Sequence, residues 1–225
     1  MMTDDPGSSR GRGAAERPRG PSRAYLAAKR AFDVAFSALV VAVGAVPCAL
    51  LAAAVRLETP GSPLYLDERV GRGGRPVHLV KLRTMVEDAW DVERHLTPEQ
   101  LAQWESERKV DADPRVTRVG RLLRATSLDE LPQFLNVLKG DLSVIGPRPV
   151  TEGELAWFGG DRDELLSVRP GITGWWQVTA RNDATFEGGE RQKLEMEYVR
   201  GMSPAMDARV FLKTFSAMFS RRTGK

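Results

Sequence analysis

Between Ala31 and Val55 the chain reads AFDVAFSALVVAVGAVPCALLAAAV, a run of 25 residues in which Asp33 carries the only charge. As a helix, a run of that length suffices to cross a hydrocarbon layer of about 30 Å. The Ala/Val/Leu monotony and the lack of a polar face favour a membrane segment over a buried core helix. Gly44 and Pro47 fall in the middle, and a proline there removes a helical donor and clashes with the preceding turn, which predicts a break or kink near Pro47. Cations flank both ends: Lys29 and Arg30 before, and Arg56, Arg69 and Arg72 after. The positive-inside rule wants both flanks in the cytoplasm, so a helix that dips into one leaflet and returns is expected rather than a straight span. Asp33 would then lie near the interface, within reach of Lys29 or Arg30.

The rest of the chain is polar. Residues 1–28, rich in Gly, Pro, Ser and Arg, read as a disordered basic arm, a solvated tail and not a secretory signal, because the apolar run begins too late and lasts too long. In the body, runs at 63–70 and 76–85 flank Gly71, Gly73 and Gly74, the pattern of a β-hairpin. No helix follows those glycines, so a dinucleotide-binding loop does not apply. Residues 86–109 are polar and helical in pattern, with a helix start at Thr97-Pro98. Arg115, Arg118, Arg121 and Arg124 recur every third residue among Val119, Leu122 and Leu123, which predicts an arginine stripe on an amphipathic helix. That stripe suits either water or an anionic surface. The chain from Met206 onward alternates apolar clusters with cations and is expected on the protein or membrane surface. The expected fold is α/β, mostly helical with a small β-hairpin or sheet, on an N-terminal re-entrant membrane helix that enters and leaves by one face: an arm over 1–28, the membrane helix over 29–57 and a polar body over 58–225.

Composition excludes several chemistries. With Cys48 the only cysteine and His78 and His95 the only histidines, a disulfide framework, a Cys/His zinc site and haem attachment are all disfavoured. No G-x-S-x-G elbow is present. Carboxylates and cations remain, and they concentrate in TSLDELPQFLNVLKGDLSVIGPRP, residues 126–149. Ser127 to Glu130 matches a capping box, or Asp129 itself caps a helix with Pro132 in its first turn. Either way a helix dipole would keep Asp129 ionised and draw a phosphate to the same place. An ionised carboxylate beside a diphosphate serves as nucleophile or metal ligand, and two adjacent carboxylates can divide those roles. Arg148 between two prolines, Arg169 before a Pro-Gly turn, and Lys81 with Arg83 on one strand face could each be a plain surface cation; together they could line one phosphate site.

Four blocks carry a family resemblance: KRAFDVAFSALV ahead of the proline-broken helix, SPLYLDERVGRGGRPVHLVKLRTM, DPRVTRVGRLLRATSLDELPQFLNVLKGDLSVIGPRPV and RPGITGWWQV. In order and spacing, from about Lys29 to Asp207, they closely resemble the bacterial sugar transferase family, the monotopic polyprenyl-phosphate phosphoglycosyltransferases. The resemblance implies a re-entrant helix with Pro47 at its break, Asp129 as the nucleophile on a UDP-sugar, and Glu130 holding Mg²⁺. It matches Lys81, Arg83, Arg148 and Arg169 to cations serving phosphate or nucleotide. UMP would leave, and polyprenyl phosphate would take the sugar phosphate from Asp129. Partners are then a UDP-sugar, polyprenyl (undecaprenyl) phosphate and anionic membrane lipids, not nucleic acid, with homo-oligomers open. The setting is the cytoplasmic face of the bacterial inner membrane, in glycan or exopolysaccharide synthesis. Only the short arm precedes the shared region, as in a minimal catalytic form. Trp175-Trp176 departs from the family's usual single tryptophan, and the pair could also anchor at a membrane. A non-catalytic membrane adaptor binding lipid or nucleic acid, and a Mg²⁺-dependent lipid phosphatase, are the rival functions. Which sugar is carried is not legible.

Overall fold

The hydroxyl of Ser22 accepts the Tyr25 N–H, and from that cap helix α1 (Arg23–Glu58) runs for 36 residues before Pro60-Gly61 turns the chain. The computed structural model describes residues 20–107, 110–180 and 184–219. Most of the expected arm, residues 1–19, lies outside them, but the helix starts at Arg23, six residues ahead of the expected boundary. Pro47 does not end it: helical structure continues on both sides, so the expected break is absent as a change of secondary structure.

Polar contacts dock the first third of α1 on the body. Asp33 is buried and accepts hydrogen bonds from Ser143 Oγ (3.0 Å) and the Val144 N–H (2.9 Å), where the sequence suggested a pairing with Lys29 or Arg30. Lys29 Nζ and Tyr25 OH instead both reach Asp207 Oδ2, at 2.9 and 2.8 Å. Phe32 and Phe36 meet Phe211, and Phe36 also meets Phe134. Near the far end Val55 packs with Leu82 and Leu123. The outer face carries Leu39, Val43, Val46 and Leu50, all more than 60% exposed and spaced four, three and four apart, so they form one apolar stripe.

Strands β1 (Leu64–Val70) and β2 (Pro76–Leu82) pair antiparallel as the expected hairpin, with Tyr65 opposite Lys81 and Asp67 opposite Leu79. Gly73 and Gly74 at its tip take positive φ (71° and 76°), which non-glycine residues seldom adopt. The polar segment after the hairpin forms α2 (Val92–His95) and α3 (Pro98–Glu107). Helix α4 (Arg118–Thr126) starts against α1: Glu58, the last residue of α1, accepts the Arg118 and Val119 N–H groups at 2.8 and 3.0 Å. The expected arginine stripe is present on α4 without its first member. Only Arg115 leaves it, lying ahead of α4 and buried on Asp113 and the Ala89 carbonyl; Arg118, Arg121 and Arg124 stay exposed on α4 beside Leu122, with Arg124 also donating to Thr84 Oγ1.

Helix α5 (Gln133–Lys139) packs Val137 and Phe134 into the same core as Val77 and Leu79 of β2, and one polar side chain sets its register on the strand. Asn136 accepts the Val80 N–H at 3.0 Å and donates to the His78 carbonyl at 2.8 Å, so its amide pairs with the strand edge as another strand would. Strand β3 (Ser143–Ile145) is followed by Pro147-Arg148-Pro149 and by α6 (Glu152–Leu155) and α7 (Arg162–Leu166). Strand β4 (Gly171–Thr173) pairs parallel with β3, so the two Pro/Arg blocks, distant in sequence, become neighbours. Their backbones approach so closely that a Cβ on Gly171 would stand 2.1 Å from the Gly146 nitrogen. Helices α8 (Trp175–Thr179), α9 (Glu190–Arg200) and α10 (Pro204–Phe219) complete the fold. Trp175 and Trp176 are buried, which rules them out as exposed anchors. The result is a mostly helical α/β body with two small sheets and one long apolar helix.

Because Asn136 is buried and holds two backbone groups of β2, Asn136→Ala leaves both without a protein partner and is expected to cost about 2–4 kcal/mol. A thermal or denaturant melt checks it; a loss under about 0.5 kcal/mol, the range of an ordinary surface change, would contradict it.

Candidate active site

The chain leaves α4 through Ser127, whose backbone is left-handed (φ 56°, ψ 21°), unusual for a residue with a side chain. Its N–H closes α4 on the Arg124 and Leu123 carbonyls, and its side chain caps nothing. The expected capping box is therefore absent, and Asp129 is not a cap either. Residues Leu128–Glu130 form a single 3-10 turn that passes through Leu131 and Pro132 into α5. A cap needs extended backbone before the helix, whereas here the reversal is spent at Ser127 and the helical sense resumes at once.

Asp129 sits half-buried on that turn. Burial, then the adjacent Glu130, push its carboxyl up to about 6, against Lys81, its own backbone N–H and Arg124, which favour the anion. Desolvation and the like-charged neighbour outweigh what one short turn supplies as a helix dipole, yet with its carboxyl at about 6 the anion remains the major form at pH 7. An aspartate poised near neutrality is a better nucleophile toward phosphorus than one locked in an ion pair.

Facing the turn is a cleft lined by Arg69, Leu79, Lys81, Glu130, Gln133, Arg148, Pro149, Gly171 and Ile172. Three cations thus converge from β1, β2 and the turn after β3. Alternation along the hairpin puts Arg69 and Asp67 on the same face as Lys81, and they are bonded: Lys81 Nζ lies 2.7 Å from Asp67 Oδ2, and Arg69 meets the same carboxylate at 3.0–3.1 Å. Burial raises the Asp67 carboxyl, but Lys81 and Arg69 together bring it below its usual range. Arg69 also reaches Glu154 Oε2 at 3.2 Å. Glu154 caps α6 with Thr151 and approaches Arg191 at 3.5 Å. Arg148 lies over Trp176 (5.9 Å), whose ring also carries Arg191 at 4.2 Å.

Of the residues expected here, Asp129, Glu130, Lys81 and Arg148 come together. Two do not reach the cleft. Arg83 follows β2 on the same face as Lys81, but it is buried and its guanidinium donates to the Pro60 carbonyl, the Thr59 carbonyl and Thr59 Oγ1, tying the end of α1 to the hairpin. Arg169 donates to the Gly140 carbonyl at 3.0 Å, next to Arg30, which takes the Val137 and Leu138 carbonyls, so both satisfy the C-terminus of α5. Arg69 and Gln133 line the cleft without having been expected there. Arg69 had a usable signal, the period-two alternation with Lys81 across a recognised hairpin, whereas Gln133 had none.

Among the described residues no group of three or more His, Cys, Asp or Glu is placed to hold a metal. Mg²⁺ bound by one carboxylate plus diphosphate oxygens needs no such cage, and Glu130, on the cleft wall, fits that role.

The bacterial sugar transferase family model matches residues 24–221. The exopolysaccharide production protein ExoY of Rhizobium meliloti is 38% identical over 194 residues, 85% of this chain and 85% of its own. The UDP-glucose:undecaprenyl-phosphate glucose-1-phosphate transferase of Caulobacter vibrioides is 39% identical over 201 residues, 85% of this chain and 70% of its own. The UDP-galactose-lipid carrier transferase of Erwinia amylovora is 38% identical over 196 residues, 86% of this chain, which spans only 40% of that longer protein. A match over almost all the described residues, on a fold that gathers Glu130, Lys81 and Arg148 around one cleft with Asp129 on the adjoining turn, places this chain in the bacterial sugar transferase family.

Proposed function

We propose that the protein moves a sugar-1-phosphate from a UDP-sugar to polyprenyl (undecaprenyl) phosphate through a phosphosugar-aspartate. The observation that carries this reading is Asp129, half-buried and near-neutral in its acidity, beside a cleft with three converging cations. An Asp129 carboxylate oxygen bonds to the sugar-bearing phosphorus as the bond from that phosphorus to the bridging oxygen breaks, and UMP departs with the electron pair. A phosphate oxygen of the lipid then bonds to the same phosphorus, and the carboxylate leaves unchanged. Lys81, Arg69 and Arg148 offset the charge on the diphosphate. Glu130 would hold Mg²⁺, which supplies charge neutralisation at the phosphate oxygens when bound.

The lipid acceptor has to meet Asp129 at headgroup depth. Helix α1 suits that need as a monotopic, re-entrant segment with Pro47 at its bend, its apolar stripe in the inner membrane and the cleft on the cytoplasmic side. Leu128, the residue before Asp129, joins Cys48, Leu51 and Ala52 of α1 in one apolar cluster, which ties the depth of the nucleophile to that of the helix. Anionic lipids would meet exposed Arg118 and Arg121.

Asp129→Asn is expected to abolish UMP release from UDP-sugars; unchanged turnover would sink the nucleophile assignment. The same variant should be more stable than the wild type. A carboxyl whose acidity is raised on folding destabilises the fold where it is ionised, so the gap should be about 1–2 kcal/mol at pH 7 and close as pH falls from about 6 to 4. Melts in chelator-containing buffer across that range measure it. Arg148→Ala should lower kcat/KM about 10²–10³-fold with little change in melting. Arg83→Ala should do the reverse, losing about 2–4 kcal/mol of stability with its three hydrogen bonds to the end of α1.

A further inference from the structure

The cation that reaches the cleft from the Pro147-Arg148-Pro149 turn is held by a residue outside the cleft lining. Glu195, in the middle of α9, is one of the most buried side chains, at 1% exposure, and its two carboxylate oxygens lie 3.3 and 3.2 Å from the Arg148 N–H. With a proline on each side, that N–H is the turn's one backbone donor between Gly146 and Val150, so the carboxylate has a single handle on it. The Arg148 guanidinium lies 5.9 Å from the centre of the Trp176 ring, and Arg191 lies 4.2 Å from the same ring and 3.8 Å from the centre of the Phe186 ring. Glu154 links Arg191 to Arg69. Two of the cleft's three cations, Arg148 and Arg69, are therefore tied to one carboxylate–arginine–aromatic network outside the cleft lining.

Conditional on the transferase reading, we propose that Glu195 is a positioning residue for Arg148, its negative charge holding the proline-flanked turn so that the guanidinium faces the donor diphosphate. The groups facing Glu195 are Arg148 from the turn, Arg191 from its own helix and Glu154 from α6. Burial pushes its carboxyl up to about 7, opposed by the Arg148 N–H and the charges of Arg191 and Arg148. The anion is therefore the minority form below pH 7 and the majority form above it. As a neutral acid Glu195 keeps its shape but loses the charge assistance of its bond to the turn.

The test measures UMP release from a UDP-sugar by the full chain in lipid, for wild type, Glu195→Gln, Arg148→Ala and the double variant, with melting followed in parallel. Glu195→Gln keeps the size and an acceptor oxygen, and should lower kcat/KM between about tenfold and a hundredfold, the worth of one hydrogen bond to a charged group. The double variant should be no worse than Arg148→Ala alone, because the residue acts through Arg148. In wild type kcat/KM should gain a rising step near pH 7, absent from both single variants. That step and its loss in Arg148→Ala do not depend on Glu195→Gln folding. A Glu195→Gln enzyme with wild-type kinetics and pH profile overturns the proposal, as do losses that add in the double variant. A wild-type chain that releases no UMP fails the transferase reading itself and takes the proposal with it.

Discussion

The fold hangs on the way one apolar helix is tied to a polar body. Asp33 would be costly inside an apolar run were it not for Ser143 Oγ and the Val144 N–H, and Lys29 and Tyr25 add a second tether at Asp207. At the other end Glu58 starts α4 and Arg83 closes on Thr59 and Pro60. Between these fixed points the stripe of Leu39, Val43, Val46 and Leu50 faces outward, each worth about 1.5–3 kcal/mol if it found an apolar surrounding. A water-soluble protein gains nothing by leaving such a stripe uncovered. The polar tethers fix which face of α1 meets the body and which is left uncovered.

From that docking the site follows. Helix α4, started by the end of α1, ends at Ser127, and the left-handed residue there reverses the chain so that Asp129 enters the space between α4 and β2. Asn136 then fastens α5 to the edge of β2 at His78 and Val80, the latter next to Lys81, so the Asp129 turn and that cation are held by one hydrogen-bonded seam. The short parallel pair β3 and β4 supplies the third wall and delivers Arg148. None of these walls is large; β2, α5, β3 and β4 share one apolar core, and buried polar side chains such as Asn136 set their register within it.

What could be read from the sequence was what depends on local pattern. The apolar run gave a helix, and the alternating runs around Gly71, Gly73 and Gly74 gave a hairpin, because hydrophobic period and turn chemistry are carried by neighbouring residues. The pairing of Asp129 with Glu130 and the proline-flanked Arg148 were visible for the same reason. The capping box was a misreading of a common pattern, since S-x-x-E does not say whether the serine will be extended or left-handed. Arg83 and Arg169 looked like ligand cations yet satisfy the ends of α1 and α5, because a helix C-terminus and a phosphate ask an arginine for the same geometry. The supporting shell of Glu154, Arg191, Trp176 and Glu195 could not be seen, for its contacts join residues tens of positions apart.

The central claim is that Asp129 carries the sugar phosphate covalently. Intact-protein mass spectrometry after incubation with a UDP-sugar and no lipid acceptor tests it most directly. A wild-type chain heavier by one sugar phosphate, an adduct mapped to Asp129, lost on adding polyprenyl phosphate and absent from Asp129→Asn, is the predicted result. UMP release with no adduct at any time, or an adduct that persists in Asp129→Asn, would contradict it.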